Sequence, residues 1–456
     1  MNTEPPARPR VIARPILLGL LLAAIVLTNG CLTNDRLAPL YDWVVPTRWP
    51  DPEYDEFYPY YVELCAVSQF RPKGGIEGGI PGHGTLYLKG ACLDPSHGYP
   101  RLRRCEAIST DELEAGHGTG ISVNRWFTNV NWIGVPGKHL FYNGNVTPWD
   151  VLDQAAAAAA AQAALDLGVY SGVELGEYPT QEGHERSLED FVRLHSMGTD
   201  FALRYGRTIF CSRVPVEAPQ VDAMIDFLNE QNRQYAEGEA DYKWSGYSDN
   251  CVHLVHNALA AAHIWKPLSV RQTKLKQLFN LAVPANEFVD LTDRTLLFEI
   301  EDFGKIWRDS AQHKALLEYD WLSTRHGAMS MTMPVHQENE LYDTSVRLFV
   351  LQRPFSGSAT NKANRILGDG RATELYSNLR FFKARYEAIL AERKTEENEI
   401  FRNLGSYDES RVRYYEYIER QLAEVELHLG TYQERTKQMF EERYQKAVPA
   451  GTREVK

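Results

Sequence analysis

The chain has 456 residues, of which 43% are hydrophobic and 24% charged, and its formal net charge is −12. This composition is typical of a folded protein, and the acidic balance argues against nucleic acid as a partner. The length allows one catalytic domain of ordinary size together with an accessory region.

The first thirty residues have the pattern of an export signal. Three arginines precede an apolar run over 16–27, which is shorter than the roughly twenty residues that a membrane span needs. The run ends at Thr28-Asn29-Gly30-Cys31. We therefore predict a signal peptide over 1–30 and a linker over 31–60.

The end of this run resembles a lipobox, in which cleavage before a cysteine leaves a thiol that carries a diacylglycerol anchor. Gly30 fits the pattern, whereas Thr28 and Asn29 depart from it, so cleavage without lipidation stays open. The resemblance predicts lipidation of Cys31 and attachment to a membrane surface in the periplasm, as in an outer-membrane lipoprotein.

Five cysteines follow Cys31, and an oxidising compartment leaves few thiols unpaired. They are Cys65, Cys92, Cys105, Cys211 and Cys251. We predict two disulfides among the first four and a free thiol at Cys251, for the reasons given below. A bridge between Cys92 and Cys105 is compatible with the Pro/Gly-rich loop between them, although three connectivities stay open.

Short apolar stretches separated by Gly and Pro predict the strands of one antiparallel sheet. The stretches are 61–67, 85–89, 120–126, 131–135 and 140–142. A helix follows, with Thr147 as its N-cap and Gly168 at its end. Further helices are predicted over 216–236 and from Ser248-Asp249 onward. Strands followed by segregated helices indicate an α+β architecture.

The C-terminal part, 371–447, reads as a long helical hairpin after a connecting segment over 326–370. Apolar residues recur every three or four positions on two stretches separated by Gly405-Ser406-Tyr407-Asp408. Two alternatives stay open for the apolar stripe: packing of the helices on each other and on the main domain, or a coiled coil that recruits a protein partner.

The strongest local signal is the segment Asn250-Cys251-Val252-His253-Leu254-Val255. If Ser248 or Asp249 caps the helix, Cys251 lies in its first turn. Free backbone N–H groups and the helix dipole favour a thiolate there. We therefore predict that Cys251 is a nucleophile, whereas a cysteine without such a context is most often a small buried hydrophobe.

A thiol nucleophile needs a base, and the sequence offers two histidines in the same four-residue setting. Gly82-His83-Gly84-Thr85 and Gly116-His117-Gly118-Thr119 each precede a predicted strand. His83 is preferred because the strand after it alternates better and its flanking glycines allow close approach of a substrate.

The Asn-Cys-x-His-x-Val segment resembles the signature of circularly permuted papain-like thiol hydrolases, including lecithin:retinol acyltransferase-like and NlpC-like proteins. In those families the catalytic histidine precedes the cysteine, as His83 precedes Cys251. The resemblance implies a papain-like domain over 61–325, with an antiparallel sheet packed on helices, and a third polar residue that orients the histidine. Asn131 is our choice for that residue, with Asn129 and His117 as alternatives.

The resemblance implies attack by Cys251 on an amide, ester or thioester without a metal or an organic cofactor. The substrate would be a cell-wall (peptidoglycan) peptide, a lipid or a protein. Nucleotide and zinc motifs are lacking from the sequence. The sequence thus predicts an envelope thiol hydrolase or acyltransferase. The alternative is a non-catalytic envelope scaffold or binding lipoprotein whose helical hairpin binds a protein partner.

Overall fold

The computed structural model describes residues 52–67, 82–106, 117–141, 154–180, 185–194, 209–246, 249–270, 282–333, 350, 359–400 and 406–447. The predicted signal peptide, Cys31 and the helix cap at Thr147 lie outside these residues, as does most of the predicted linker. Among the described residues, no helix combines the length and the apolar character needed to cross a membrane.

Six strands form one antiparallel sheet in the order β6-β5-β2-β1-β7-β8. They are β1 (Tyr61–Val67), β2 (His83–Lys89), β5 (Gly118–Val123), β6 (Trp132–Pro136), β7 (Ile209–Pro215) and β8 (Met329–Met333). Two short strands, β3 (Ala91–Leu93) and β4 (Leu102–Arg104), pair separately. The predicted α+β class with an antiparallel sheet is confirmed.

The sheet carries helices on its faces, so that every residue of β1, β2, β5 and β7 is buried. The helices up to β8 are α1 (Pro52–Phe57), α2 (Lys138–Phe141), α3 (Gln154–Asp166), α4 (Leu188–Leu194), α5 (Ala218–Ala236), α6 (Cys251–Ala261), α7 (Pro284–Leu297), α8 (Phe303–Arg308) and α9 (Ser310–Tyr319). Helix α6 packs on β2, and α7 packs on β1 and β7.

The predicted strand over 140–142 is wrong, because Leu140 belongs to helix α2. Gly137, with a φ of +75°, turns the chain directly after β6. The helix then packs Phe141 onto Gly120 of strand β5, where a Cβ atom would stand 2.0 Å from the ring. The glycine that weakens the strand signal therefore makes room for an aromatic ring.

Two disulfides join elements of the sheet region, and Cys251 is free. Cys65 and Cys211 face each other across β1 and β7, 146 residues apart in sequence, whereas the bridge between Cys92 and Cys105 closes 13 residues around β3 and β4. The prediction of two bridges among these four cysteines, with Cys251 unpaired, is confirmed.

The C-terminal region is helical, as predicted, with α10 (Ala359–Leu367), α11 (Gly370–Thr373), α12 (Leu375–Ile400) and α13 (Ser406–Ala447). Helices α12 and α13 pack along each other, and the predicted apolar stripe of α12 is buried. Arg385 fastens α12 to the main body through bonds to the carbonyl oxygens of Leu296 and Phe298 and to Glu301. Among the described residues, the apolar stripe is therefore buried by packing of the helices on each other and on the main domain, which is the first of the two alternatives.

Candidate active site

Helix α6 begins at Cys251 because Asn250 caps it. The Asn250 side-chain oxygen accepts hydrogen bonds from the backbone N–H groups of Val252, at 2.9 Å, and His253, at 3.3 Å. The N-cap is therefore Asn250, and not Ser248 or Asp249 as predicted. Asparagine, aspartate and serine are similarly good N-caps, so the residue type alone did not distinguish them. The predicted place of Cys251 in the first turn is confirmed.

The thiol of Cys251 lies against the start of strand β2. Its sulfur accepts a hydrogen bond from the backbone N–H of Gly84 at 3.4 Å, and the residue is 8% exposed. Gly84 directly follows His83, so the fold brings the predicted nucleophile to the chain segment that carries the predicted base.

Burial raises the pKa of the Cys251 thiol to about 11, although hydrogen bonds from backbone N–H groups, including that of Gly84, lower it. Loss of hydration thus outweighs the backbone dipoles at the helix start. The thiol is protonated at neutral pH, contrary to the thiolate that the helix position alone predicts. A reaction at this sulfur requires a base during the attack.

His83 is the first residue of β2 and is buried, with 7% of its surface exposed. Its Nε2 atom lies 2.7 Å from the hydroxyl oxygen of Ser122 on the neighbouring strand β5. Burial lowers the pKa of the imidazole to about 4. The ring is therefore neutral at pH 7 and able to accept a proton.

Ser122 is a functional candidate that the sequence reasoning missed. It is fully buried as the second-last residue of β5, and its hydroxyl oxygen lies 2.7 Å from one ring nitrogen of His83. The available signal was a polar residue inside an apolar strand, in Gly120-Ile121-Ser122-Val123. Only the pairing of β2 with β5 shows that this strand adjoins the one that begins at His83.

The predicted orienting residue Asn131 lies directly before the strand beyond β5, and not on β5 next to His83. It precedes β6, which is separated from β2 by β5. Its backbone N–H donates to Asn232, and its side-chain oxygen is buried without a hydrogen-bond partner among the described residues. The side chain of the alternative Asn129 donates a hydrogen bond to the carbonyl oxygen of Gly172 and accepts one from the backbone N–H of Glu174. None of these hydrogen bonds involves His83.

His117 stands at the opposite end of the strand pair from His83. Strand β2 begins at His83, and its last residue, Lys89, pairs with Gly118, which follows His117. At about 3.3 Å per residue, the two histidines are roughly 20 Å apart. The fold therefore separates the two Gly-His-Gly-Thr copies and places only the first beside Cys251.

An open groove of about 510 Å³ lies between the segments 125–128, 176–177 and 242–244, and Cys251, His83 and Ser122 are not among the residues that line it. Four of its nine lining residues are aromatic, and three are charged. It is lined by Arg125, Trp126, Phe127, Thr128, Gly176, Glu177, Tyr242, Lys243 and Trp244. Aromatic side chains together with a few charged groups are typical of sites for small molecules.

The groove wall at 242–244 precedes Cys251 by only a few residues in the sequence. Ser245 and Asp249 exchange backbone hydrogen bonds of 2.8 and 3.0 Å, which folds the groove wall back onto the start of helix α6. Burial raises the pKa of Tyr242, and negative charge at Asp249 and Cys251 raises it further. Tyr242 is therefore within electrostatic range of the sulfur.

Comparisons of the chain with protein-family models, curated proteins and solved structures find no significant match. The arrangement of Cys251, His83 and Ser122 therefore carries the functional argument.

Proposed function

We propose that the protein is a thiol hydrolase or acyltransferase of papain-like design, in which Cys251 attacks an amide, ester or thioester. The observation that carries this proposal is the hydrogen bond from Gly84 to the Cys251 sulfur, since it brings the free thiol at a helix start to the residue after a buried, neutral histidine.

In the proposed reaction, the thiol proton passes to His83 as the sulfur attacks the acyl carbon. Ser122 holds Nε2, so the proton is assigned to Nδ1, the other ring nitrogen. The backbone N–H of Cys251, which is not one of the two N–H groups that Asn250 binds, stabilises the developing oxyanion. His83 then returns the proton to the leaving group, and water or another acceptor releases the acyl group from Cys251.

We assign the substrate to the groove, because Tyr242 in its wall is within electrostatic range of the Cys251 sulfur. Trp126 and Trp244 offer flat apolar surfaces, and Arg125 and Lys243 can bind an anionic group. Cell-wall peptides, lipids and acylated proteins all carry an acyl group close to apolar or anionic groups that these side chains could bind.

The test is a panel of acyl substrates, comprising peptidoglycan peptides, lipid esters, N-acyl amines and thioesters, incubated with the intact protein and with Cys251→Ala. We expect turnover of one class by the intact protein and loss of that turnover in the variant. Trp244→Ala should raise the KM for that substrate several-fold with little change in kcat. No turnover of any class, or equal turnover by Cys251→Ala, would contradict the proposal.

The rival function is a non-catalytic envelope scaffold, and the burial of Cys251, with its raised pKa, favours it. In that reading the thiol is a small packing residue. Such a protein would bind a ligand in the groove with an affinity that Cys251→Ala leaves unchanged.

A further inference from the structure

Polar side chains gather in a second buried region, where helix α13 meets the loop before strand β8. His326 lies fully buried in that loop, and Glu424 and His428 lie one helical turn apart on α13. One ligand atom from each residue lies within 4.8 Å of the other two. The distance between His326 Nε2 and Glu424 Oε1 is 3.7 Å.

Two ring nitrogens in this cluster are buried without a hydrogen-bond partner among the described residues. They are His326 Nε2 and His428 Nδ1. A buried polar atom without a partner costs about 1–3 kcal/mol. A single cation bound between these two nitrogens and the Glu424 carboxylate, which lies 3.7 Å from His326 Nε2, would satisfy both of them.

Each imidazole is held in place by its surroundings. The Nδ1 atom of His326 lies 3.4 Å from the hydroxyl of Tyr386, so that Nε2 is the nitrogen turned toward Glu424. The His428 ring stacks on Phe57 with 4.3 Å between centroids and an interplanar angle of 5°. Imidazoles that bind metals are commonly oriented in this way, by a contact at the other ring nitrogen and by packing.

Arg325 is the feature that opposes cation binding. Its Nη2 atom lies 3.1 and 3.2 Å from the two oxygens of Glu424, and its Nη1 atom lies 3.0 Å from Glu217. One guanidinium and two carboxylates leave a net charge of −1. A carboxylate has about four lone-pair positions, so Glu424 can accept from Arg325 and still bind a metal ion.

We propose that His326, Glu424 and His428 bind one divalent transition-metal ion, with zinc as the best match to the donor set. Two imidazoles and one carboxylate suit zinc better than calcium or magnesium, which prefer oxygen ligands. Zinc bonds of about 2.0–2.1 Å place tetrahedral ligand atoms roughly 3.4 Å apart. The 3.7 Å between His326 and Glu424 is near that value.

The ion would join the C-terminal hairpin to the main body, since His326 precedes β8 and the other two ligands lie on α13. No short sequence motif contains all three ligands, because His326 lies about a hundred residues before Glu424 and His428. The site is separate from Cys251, and its existence does not depend on the proposed hydrolase function.

The test uses the purified mature protein, stripped of metal with a chelator and titrated with Co²⁺ and with Zn²⁺. We expect one Co²⁺ per chain, with visible absorption bands of a tetrahedral site, and an increase in Tm of several degrees on addition of Zn²⁺. His428→Phe keeps the aromatic packing but removes the ligand, and it should lose both effects.

The matched control is His313→Phe. His313 also has a ring nitrogen without a hydrogen-bond partner among the described residues, and it packs on Trp307 with 4.1 Å between centroids. It lies outside the cluster and should leave binding unchanged. Absence of saturable binding by the unaltered protein would overturn the proposal, whether or not His428→Phe folds, and so would equal binding by His428→Phe.

Discussion

Two opposing effects act on the thiol of Cys251. Backbone N–H groups at the helix start favour the thiolate because they donate hydrogen bonds to the sulfur, whereas burial favours the neutral thiol. Burial dominates, with a pKa of about 11, whereas burial lowers the pKa of His83 to about 4. The resting pair is therefore a neutral thiol near a neutral imidazole, and proton transfer accompanies the attack rather than precedes it.

Removal of either partner should cost nearly the full effect. We expect Cys251→Ala and His83→Ala each to lower kcat by about a thousandfold or more. The kcat of the double variant should be no lower than that of either single variant, because the effects of residues that act as a unit are non-additive. Turnover assays with circular dichroism as a check of folding measure this. His117→Ala is the control and should keep normal activity.

The two candidates for orienting His83 can be separated by matched substitutions. Ser122→Ala removes the hydroxyl 2.7 Å from Nε2 and should lower kcat by about tenfold to a hundredfold, as is usual for a group that orients a reacting residue. Asn131→Ala should leave kcat within about twofold of the unaltered protein. If Asn131→Ala is the more damaging in steady-state assays, the assignment of Ser122 is wrong.

The pH dependence of kcat/KM should follow the neutral pair. Activity should fall only as pH drops through about 4, because His83, with a pKa of about 4, must be unprotonated to accept the thiol proton. In His83→Ala, the residual rate should rise about tenfold per pH unit toward the thiol pKa of about 11, since only the thiolate reacts. An acid limb near pH 6.5 would contradict this account.

Sequence patterns located the thiol, because a cap, a helix start and a cysteine lie within four residues. The partner of the histidine could not be found that way. Ser122 carries no local sign of its role, and its place beside His83 follows from the pairing of two strands whose facing residues lie 39 positions apart. Asn131 was preferred for its chemistry, which says nothing of the strand to which it belongs.

At the level of elements, strands with alternating or continuous apolar character were predictable, and β1 has the predicted bounds. Strands β7 and β8 were not predicted. The five residues of β8 include three methionines, a residue without a β preference, and the strand forms because β7 offers it an edge. Helix α2 shows the reverse case, in which a β-like stretch packs as a helix on Gly120.

The two disulfides should differ in their contribution to stability. The bridge from Cys65 to Cys211 closes 146 residues, and that from Cys92 to Cys105 closes 13. Loop-closure entropy predicts losses of about 5 and about 3 kcal/mol for the respective pairs of alanine substitutions. Urea unfolding of both double variants measures this, and a larger loss for the shorter loop would contradict the entropic explanation.

At the scale of the whole molecule, the prediction that can be tested is a lipid anchor at the N-terminus. We expect the mature chain to begin at Cys31 and to partition into detergent, because the apolar run ends at Gly30-Cys31. Cys31→Ala should move the protein to the aqueous phase. An intact mass with an unmodified thiol at residue 31 would rule out lipidation but leave export possible.

The disulfide connectivity also has a consequence for biogenesis. A chain that crosses a membrane N-terminus first exposes Cys65, then Cys92 and Cys105, and only much later Cys211. Oxidation in order of emergence would join Cys65 to Cys92, whereas the folded protein joins Cys65 to Cys211 and Cys92 to Cys105. If the chain is exported as predicted, maturation requires either that Cys65 stays reduced for 146 residues or that an early bridge is exchanged by thiolate attack. The rate at which active protein accumulates would then depend on the disulfide-isomerising capacity of the compartment.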